Sequence, residues 1–302
     1  MMELTANAKI NLGLDVLARR EDGYHEVRMV MQTLALHDTL TLELLSEAGD
    51  RSGNSGESTV RLTIASGDPA IDVSPLPVDD RNLCVKAAKE LLADAGANAD
   101  IAIHLTKCIP FEAGLAGGST DAAAVLIGIN ELLNLQYTNE DLAKVGVRLG
   151  ADIPYCIYGG TMLAEGIGEK LTAVEPGVSE LPVLLVKPDF GVSTGGIYGR
   201  LDAIESPRHP DIDGLLGAIR SKEPREIAGH LGNILEEVTI AEHPKIEEIK
   251  SRLEKCGALG ALMTGSGPTV FGVFEDEKTM TAARRKLKEK YNDYYIKETH
   301  IK

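Results

Sequence analysis

The chain has 302 residues, 43% of them hydrophobic and 25% charged, with a formal net charge of −15. That length is long for one simple core and accommodates two domains; no apolar run approaches the ~18 residues of a helical membrane span, and the negative charge works against binding nucleic acid or an anionic membrane. Cys84, Cys108, Cys156 and Cys256 are scattered without a C-x-x-C pair, which argues against a disulfide framework or a cysteine metal set and reads as reduced thiols in a cytoplasmic protein.

Residues 4 to 18 read as strand material with a turn near Asn11-Leu12-Gly13, and Met1 to Lys9 lacks the basic and apolar regions of a signal peptide. Arg19 to Gly23 is a charged loop leading into Tyr24-His25, and Val27 to Leu45 carries β-prone runs broken near His37-Asp38. Ser46 to Ser58 has almost no apolar residue and reads as a flexible hairpin loop or insertion. Thr59 to Ile64 alternates as a strand, and Gly67 to Asp80 is a Pro- and Asp-rich loop. Asp79 or Asp80 is placed to cap a helix over Asn82 to Ala95 that stops at Gly96. Ile101 to Leu105 suits a strand and Ala122 to Leu135 a helix. Thr138-Asn139-Glu140-Asp141 has the form of a capping box opening a helix that ends at Gly150. Ala151 to Tyr158 leads into a strand marked by Gly159-Gly160, Leu181 to Val186 is a short strand, and Gly191 to Gly199 is loop. Helical patterns cover Asp211 to Ser221, Pro224 to Leu235, Pro244 to Cys256 and Glu277 to Tyr291, with strand, turn and strand over Ala261 to Phe274. No repeat is visible, and the Gly- and Pro-containing stretch from about 160 to 182 is the expected domain seam.

Chemistry concentrates between the strand ending near Leu105 and the helix beginning near Ala122. A glycine-rich loop feeding a helix N-terminus gathers unpaired backbone N–H groups where the helix dipole is positive, which suits phosphate. Gly117-Gly118 permits close backbone approach, and Ser119 or Thr120 offers a capping hydroxyl. The segment lacks G-K-[ST] and does not fit G-x-G-x-x-G, so it is neither a Walker P-loop nor a dinucleotide fingerprint; the plain alternative is a tight β–α connection. Given the chain's charge, attraction for a nucleotide has to be local, from N–H groups, a few lysines and a divalent cation. Lys9 lies among small and apolar residues, where a buried ammonium needs an anionic partner or else points to water from an edge strand. Asp152, in Gly150-Ala151-Asp152-Ile153-Pro154, is either a turn residue or a general base for a hydroxyl, kept ionised by a neighbouring cation that Lys9 could supply.

Ala8-Lys9-Ile10-Asn11-Leu12-Gly13-Leu14 with Asp22-Gly23-Tyr24-His25-Glu26, then Pro110 to Thr120 running into Asp121-Ala122-Ala123-Ala124, then Thr264-Gly265-Ser266-Gly267-Pro268-Thr269, resemble the motifs of the GHMP kinase superfamily. Asp-Gly-Tyr-His after the lysine strand resembles the branch that phosphorylates a cytidine-diphosphate-linked methylerythritol on the route to isoprenoid precursors. The resemblance implies an α+β, two-domain fold. An N-terminal ATP-binding kinase domain would cover residues 1–165 and a C-terminal ferredoxin-like α/β domain residues 166–302, with the active site in the cleft. It implies transfer of the ATP γ-phosphoryl group, with Mg²⁺, to the tertiary C2 hydroxyl of the erythritol. Asp152 would accept the hydroxyl proton, and Lys9 would hold Asp152 ionised and stabilise developing charge. Pro110, Phe111, Glu112, Ala113, Gly114, Leu115, Ala116, Gly117, Gly118, Ser119 and Thr120 would wrap the ATP phosphates. Tyr24 and Tyr198 would sandwich the cytosine ring and His25 would hydrogen-bond to it. Asn11 and Thr194 would contact the substrate, and Gly265, Ser266 and Gly267 would shape the pocket near the reacting phosphoryl. Asn82 and Lys86 are candidate nucleotide neighbours; no metal ligand is indicated. The expected partner is a small cytidine diphosphate substrate, with no nucleic acid or membrane, for a monomer or weak homodimer.

Three residues depart from the family pattern: Glu112 and Ala116 stand where glycine is usual, and Thr120 where serine is common. Glu112 is expected to point out of the loop, and Ala116 to keep a negative φ unless the loop is strained. Two other readings compete. One is another kinase of the superfamily, acting on homoserine, mevalonate or a sugar; Tyr24, His25 and Tyr198 argue against it, because those substrates offer no base to stack. The other is a non-catalytic nucleotide sensor, against which the joint presence of Lys9 and Asp152 argues.

Overall fold

The computed structural model describes residues 1–47, 58–178 and 180–302, so nearly all of the loop expected over 46–58 lies outside the described residues. In chain order the elements are β1 (Met2–Arg19), β2 (His25–Glu47), β3 (Val60–Ser66), α1 (Leu83–Asp94), β4 (Ala99–Lys107), α2 (Gly117–Leu132), α3 (Asn139–Val147) and α4 (Ile153–Tyr158). There follow β5 (Thr161–Gly166), β6 (Lys170–Ala173), β7 (Pro182–Lys187), α5 (Thr194–Leu201), α6 (Ile212–Ser221), α7 (Pro224–Gly229), β8 (Gly232–Asn233) and α8 (Glu236–Glu242). The chain closes with α9 (Lys245–Lys255), β9 (Gly260–Met263), β10 (Val270–Val273), α10 (Glu277–Lys290) and β11 (Tyr295–His300).

Two compact units are present: Met1–Ala8, Leu36–Phe111 and Ala116–Tyr158 form the first, and Lys9–Ala35, Glu112–Leu115 and Gly159–Lys302 the second. In the first, β3 runs parallel to β4, and the later half of β2 pairs antiparallel with β4. Helices α1 to α4 cover this layer through Leu40, Leu42, Ile101, Ile103, Leu91, Val125, Leu126 and Ile153, all fully or nearly fully buried. Gly128 is the point of closest approach of α2 to the strands. A β-carbon there would stand 2.3 Å from Leu42 Cδ1 and 2.4 Å from Leu4 Cδ1. Local chemistry starts the helices. Asn82 caps α1 by accepting from the Cys84 N–H, and Thr138 with Asp141 closes a full capping box on α3.

In the second unit, β1 pairs parallel with β8 at Gly13 and Gly232, β5 pairs antiparallel with the first half of β2, and β6 with β5. A separate antiparallel sheet has the order β11-β7-β10-β9, and α9 and α10 pack on it. Its centre is β7, whose Val183, Leu184, Leu185 and Val186 have no exposed surface, as a strand flanked on both edges and covered requires.

Several sequence expectations need correction. β1 is continuous through Asn11 to Gly13, and β2 continuous through His37-Asp38, because strand pairing outweighs local turn residues. Asn82, not Asp79 or Asp80, caps α1; Asp79 is held by Arg81 instead. α2 begins at Gly117, five residues before Ala122, and ends at Leu132. Residues 153–158, which lead through Gly159-Gly160 into β5 as expected, are themselves helical (α4), with Pro154 tolerated in the first turn. Thr194 to Leu201 is helix where a loop is expected. The helix expected over Pro224 to Leu235 stops at Gly229, and β8 and α8 follow. β6 and β11 have no counterpart among the sequence expectations.

Candidate active site

Within the second unit, four predicted residues meet at one place. Lys9, 4% exposed on β1, donates from Nζ to Asn11 Oδ1 at 2.8 Å, and its backbone N–H donates to Leu115 O at 3.1 Å. Asn11 is fully buried; its N–H donates to Thr264 Oγ1 at 3.1 Å and its Nδ2 points at Met29 Sδ at 3.2 Å. Thr264 Oγ1 donates in turn to Gly114 O at 3.2 Å. Gly114 has φ +72°, and a β-carbon on it would stand 2.3 Å from Thr264 O, so only glycine fits. The strand carrying Lys9, the middle of the glycine loop and the turn between β9 and β10 are thus tied by neutral hydrogen bonds around Thr264.

The turn is held from below as well. Asn233 Nδ2 donates to Met263 O and to Gly265 O, both at 2.8 Å, while its Oδ1 accepts from Leu235 N at 3.0 Å. Glu236 accepts from Met263 N at 2.9 Å and pairs with Lys250 at 2.6 Å; burial pushes its carboxyl up and Lys250 opposes the rise. Ser266, buried, shares a hydrogen bond of 2.9 Å with Thr194 Oγ1 at the start of α5. Gly265 and Gly267 have φ of +58° and +88°, as the tight turn requires.

A second group lies around α5. The His25 ring packs against Tyr198 at 5.0 Å between centroids and 44° between planes, and His25 Nε2 lies 2.8 Å from Asp202 Oδ1. Tyr24 is 58% exposed, its backbone held by Asp22 Oδ1 at 3.0 Å. Tyr24 is thus on the surface, next in sequence to His25, whose side chain is 10% exposed. Glu112, at φ +50°, lies so close to Gly191 that a β-carbon there would stand 2.6 Å from Glu112 Oε2, and burial holds the Lys187 pKa down against the opposing charges of Glu112 and Asp189.

The first unit carries the two ends of the glycine loop. Ile109 and Pro110 are buried and Phe111 is 38% exposed. Ala116 is the residue before α2 and has φ +58°, the left-handed region, which an L-alanine adopts at a cost of roughly 1–2 kcal/mol. The loop is therefore strained at this position. Neither Ser119 nor Thr120 caps the helix: among the described residues no side chain caps α2, and Thr120 N bonds to Ala116 O at 2.9 Å. A helix start of Gly117-Gly118 without a side-chain cap leaves its first N–H groups without an acceptor inside the helix. Asn82, the α1 cap, also donates to Pro77 O at 2.8 Å, so its amide is engaged; Lys86 is exposed on α1. Asp152 is partly buried immediately before α4, its carbonyl accepting from Cys156 N at 3.1 Å.

Next to the ends of this loop lies a cluster of which the sequence motifs include only Asp121. Lys107, at the end of β4, donates to Asp121 Oδ2 at 2.7 Å and bonds to Asp38 Oδ2. Asp38 Oδ1 accepts from Cys108 N and, at 2.8 Å, from Ile109 N. Burial, opposed by Lys107, pushes the Asp121 carboxyl up to about 8, and the two carboxylates together raise Lys107 despite its burial. A lysine at the end of a strand whose Ile101, Ile103 and Leu105 are apolar, and an aspartate inside an Ala-rich helix, are the available signals for it. Burial first, then Asp121, keep the adjacent Cys84 thiol protonated, and none of Cys84, Cys108, Cys156 and Cys256 is in a disulfide. Among the described residues no group of three or more His, Cys, Asp or Glu side chains gathers to hold a metal, and no helix is long and apolar enough to cross a membrane.

Two family models match this chain, GHMP kinases N terminal domain over residues 82–160 and GHMP kinases C terminal over residues 215–293. The chain is 43% identical over 298 residues to 4-diphosphocytidyl-2-C-methyl-D-erythritol kinase of Clostridium tetani, covering 99% of this chain and 100% of that one. The chain belongs to the GHMP kinase family. The protein of the same name from Lachnospira eligens is 44% identical over 96% of this chain and 94% of its own. A crystal structure of 4-(cytidine 5'-diphospho)-2C-methyl-D-erythritol kinase superposes with TM-score 0.79 at 30% identity over the full length of both chains. Homoserine kinase from Cytophaga hutchinsonii, at 19% identity and TM-score 0.71 over 98% of this chain and 94% of its own, shares the fold. The mixed α and β, two-domain architecture implied by the motifs is thus the GHMP kinase fold.

Proposed function

We propose that this GHMP kinase transfers the γ-phosphoryl group of ATP to the C2 hydroxyl of 4-diphosphocytidyl-2-C-methyl-D-erythritol, a step in the non-mevalonate route to isoprenoid precursors. The observation that carries the reading is the end-to-end match at 43% identity to a kinase named for that substrate. Tyr24, His25 and Tyr198 support it, since an imidazole packed on Tyr198, with the exposed Tyr24 next to it in sequence, suits a pyrimidine base.

The residue roles are those that the motif resemblance implies, and elementary chemistry is consistent with them. Phosphoryl transfer needs positioning and charge compensation more than covalent help. Residues Pro110 to Thr120 wrap the triphosphate with backbone N–H groups, and Mg²⁺ arrives with the nucleotide as part of the MgATP substrate. Asp152 accepts the hydroxyl proton. Lys9 offsets charge developing at the transferred phosphoryl, and its hydrogen bond to Asn11 orients the ammonium. Asn11 and Thr194 contact the substrate, and Gly265, Ser266 and Gly267 shape its pocket. Tyr24 and Tyr198 hold the cytosine between them, with His25 hydrogen-bonded to it. A tertiary alcohol is crowded, so orientation contributes more than proton removal. We assign ATP binding to residues 1–165 and the remainder of the fold to 166–302. The enzyme works in the cytoplasm on a small molecule, as a monomer or weak homodimer, without nucleic acid or membrane, in keeping with its charge of −15.

A coupled ADP-release assay tests the reading. ADP should form with the diphosphocytidyl substrate and not with mevalonate or homoserine, and CDP should compete. Turnover of either alternative at a comparable rate would refute it.

A further inference from the structure

We propose that Asp38, Lys107 and Asp121 form a positioning triad that holds both ends of the nucleotide loop in register; this rests on the reading of that loop as the triphosphate cradle. The geometry is specific. Lys107 ends β4, Asp38 lies on β2, and Asp121 lies in the second turn of α2, with side-chain exposures of 4%, 0% and 4%. One oxygen of Asp38 holds the backbone N–H groups of Cys108 and Ile109, the two residues that lead into Pro110. The Lys107 ammonium then ties that aspartate to Asp121, beyond the loop's exit. A β-carbon on Gly117 would stand 3.3 Å from Lys107 Nζ, so the ammonium is packed directly under the first residue of α2. Entrance and exit of the loop are therefore referenced to one buried cation.

Stability does not account for the cluster. A buried ion pair gives little net stabilisation over apolar side chains of the same volume. This one carries a second carboxylate, and Asp121 Oδ1 is buried without a hydrogen-bond partner among the described residues, an arrangement that costs free energy. Cys84, on α1, is the further titratable group that feels all three charges, and its thiol is neutral. What the triad supplies is a fixed direction for the loop's N–H groups before phosphate arrives, which is where preorganised donors gain their strength.

The test compares Asp121→Ala, Asp121→Asn and Asp38→Asn with the wild-type chain. Affinities for adenylyl imidodiphosphate with Mg²⁺ and for CDP are measured by calorimetry, alongside KM and kcat. Asp121→Ala should raise the Kd of the ATP analogue and the KM for ATP by roughly tenfold or more. Its CDP affinity should stay within about twofold and kcat at saturating ATP within about threefold. Asp121→Asn, which keeps the shape and an acceptor for Lys107, should return to within about threefold of wild type. An analogue Kd unchanged in Asp121→Ala overturns the proposal, and so does equal weakening toward analogue and CDP, which a general loss of packing produces. Should Asp121→Ala not fold, Asp38→Asn must show the same selective loss, and an unchanged analogue affinity there overturns the triad. A wild-type protein that leaves the diphosphocytidyl substrate untouched, yet binds the analogue and loses it selectively in Asp121→Ala, refutes the substrate reading and supports the triad. A wild type that binds no analogue overturns both.

Discussion

The glycine loop is anchored in two chemically different ways. In its middle, Gly114 meets Thr264 and Asn11 through neutral hydrogen bonds, each donor and acceptor within ordinary distance of its partner. At its ends, Cys108, Ile109 and the start of α2 are held through the buried ionisable groups of Asp38, Lys107 and Asp121. Neutral pairing loses little on desolvation and fixes distance through several modest bonds of about 1 kcal/mol each. Charge pairing resists displacement more strongly, but it needs complete compensation, and here one carboxyl oxygen lacks a partner. The contrast shows that a loop can be fitted closely at one point by sterics and pulled into register at its ends by electrostatics.

The largest effect is expected where chemistry, rather than anchorage, is removed. Asp152→Asn should lower kcat by at least about 100-fold, the lower range for loss of a general base, while the Kd for ATP stays unchanged. Equal loss of ATP affinity would place Asp152 with the anchors instead. Next, Gly114→Ala attacks the neutral anchor sterically, since the new methyl would stand 2.3 Å from Thr264 O at φ +72°. A loss of roughly 2–4 kcal/mol in urea unfolding is expected, because both a clash and an unfavourable φ are added. Thr264→Val keeps the volume but leaves the Asn11 N–H without its acceptor, so a milder loss of about 1–3 kcal/mol should appear, with reduced kcat. A Thr264→Val chain as stable as wild type would show that the neutral anchor contributes nothing.

The charged anchor is separated from the neutral one by pH. The Asp121 carboxyl is raised to about 8, by burial above all. Between the ordinary carboxylate range and about 8, the folded protein therefore keeps a proton that the unfolded chain has released. Stability falls as pH rises through that window. Asp121→Asn cannot titrate, so its denaturation midpoint should fall less than that of wild type between about pH 5 and 8; parallel curves would refute the assignment. The smallest effect belongs to Ala116→Gly. Relief of a left-handed alanine at φ +58° outweighs the added freedom of the unfolded glycine, for a gain of roughly 0.5–1 kcal/mol in thermal unfolding. A loss instead would show that the loop is not strained at this position.

Much of this was legible along the chain because the signals are short-range. The capping box at Thr138 and Asp141, and the paired strands around Gly265 to Gly267, depend on residues a few positions apart. The motif residues Lys9, Asn11 and Gly114 were legible by pattern, but the Thr264 hydroxyl that joins them spans 253 residues to Asn11 and carried no local mark of that role. α5 was missed because Gly195, Gly196 and Gly199 lower its intrinsic helix propensity, which the burial of Ile197 and Leu201 overrides. β11 was missed because its residues are ordinary and its identity comes from pairing with β7.

By itself, then, the sequence determined the family, the position of the glycine loop ahead of α2, and those helix starts whose caps lie within one turn. Tertiary structure alone decided that Asp38, Lys107 and Asp121 share one buried site and that Ala116 bends into the left-handed region. Charge pairing in a low-dielectric interior, and a backbone conformation imposed from both ends, depend on neighbours brought together by folding, and no short stretch of sequence contains them.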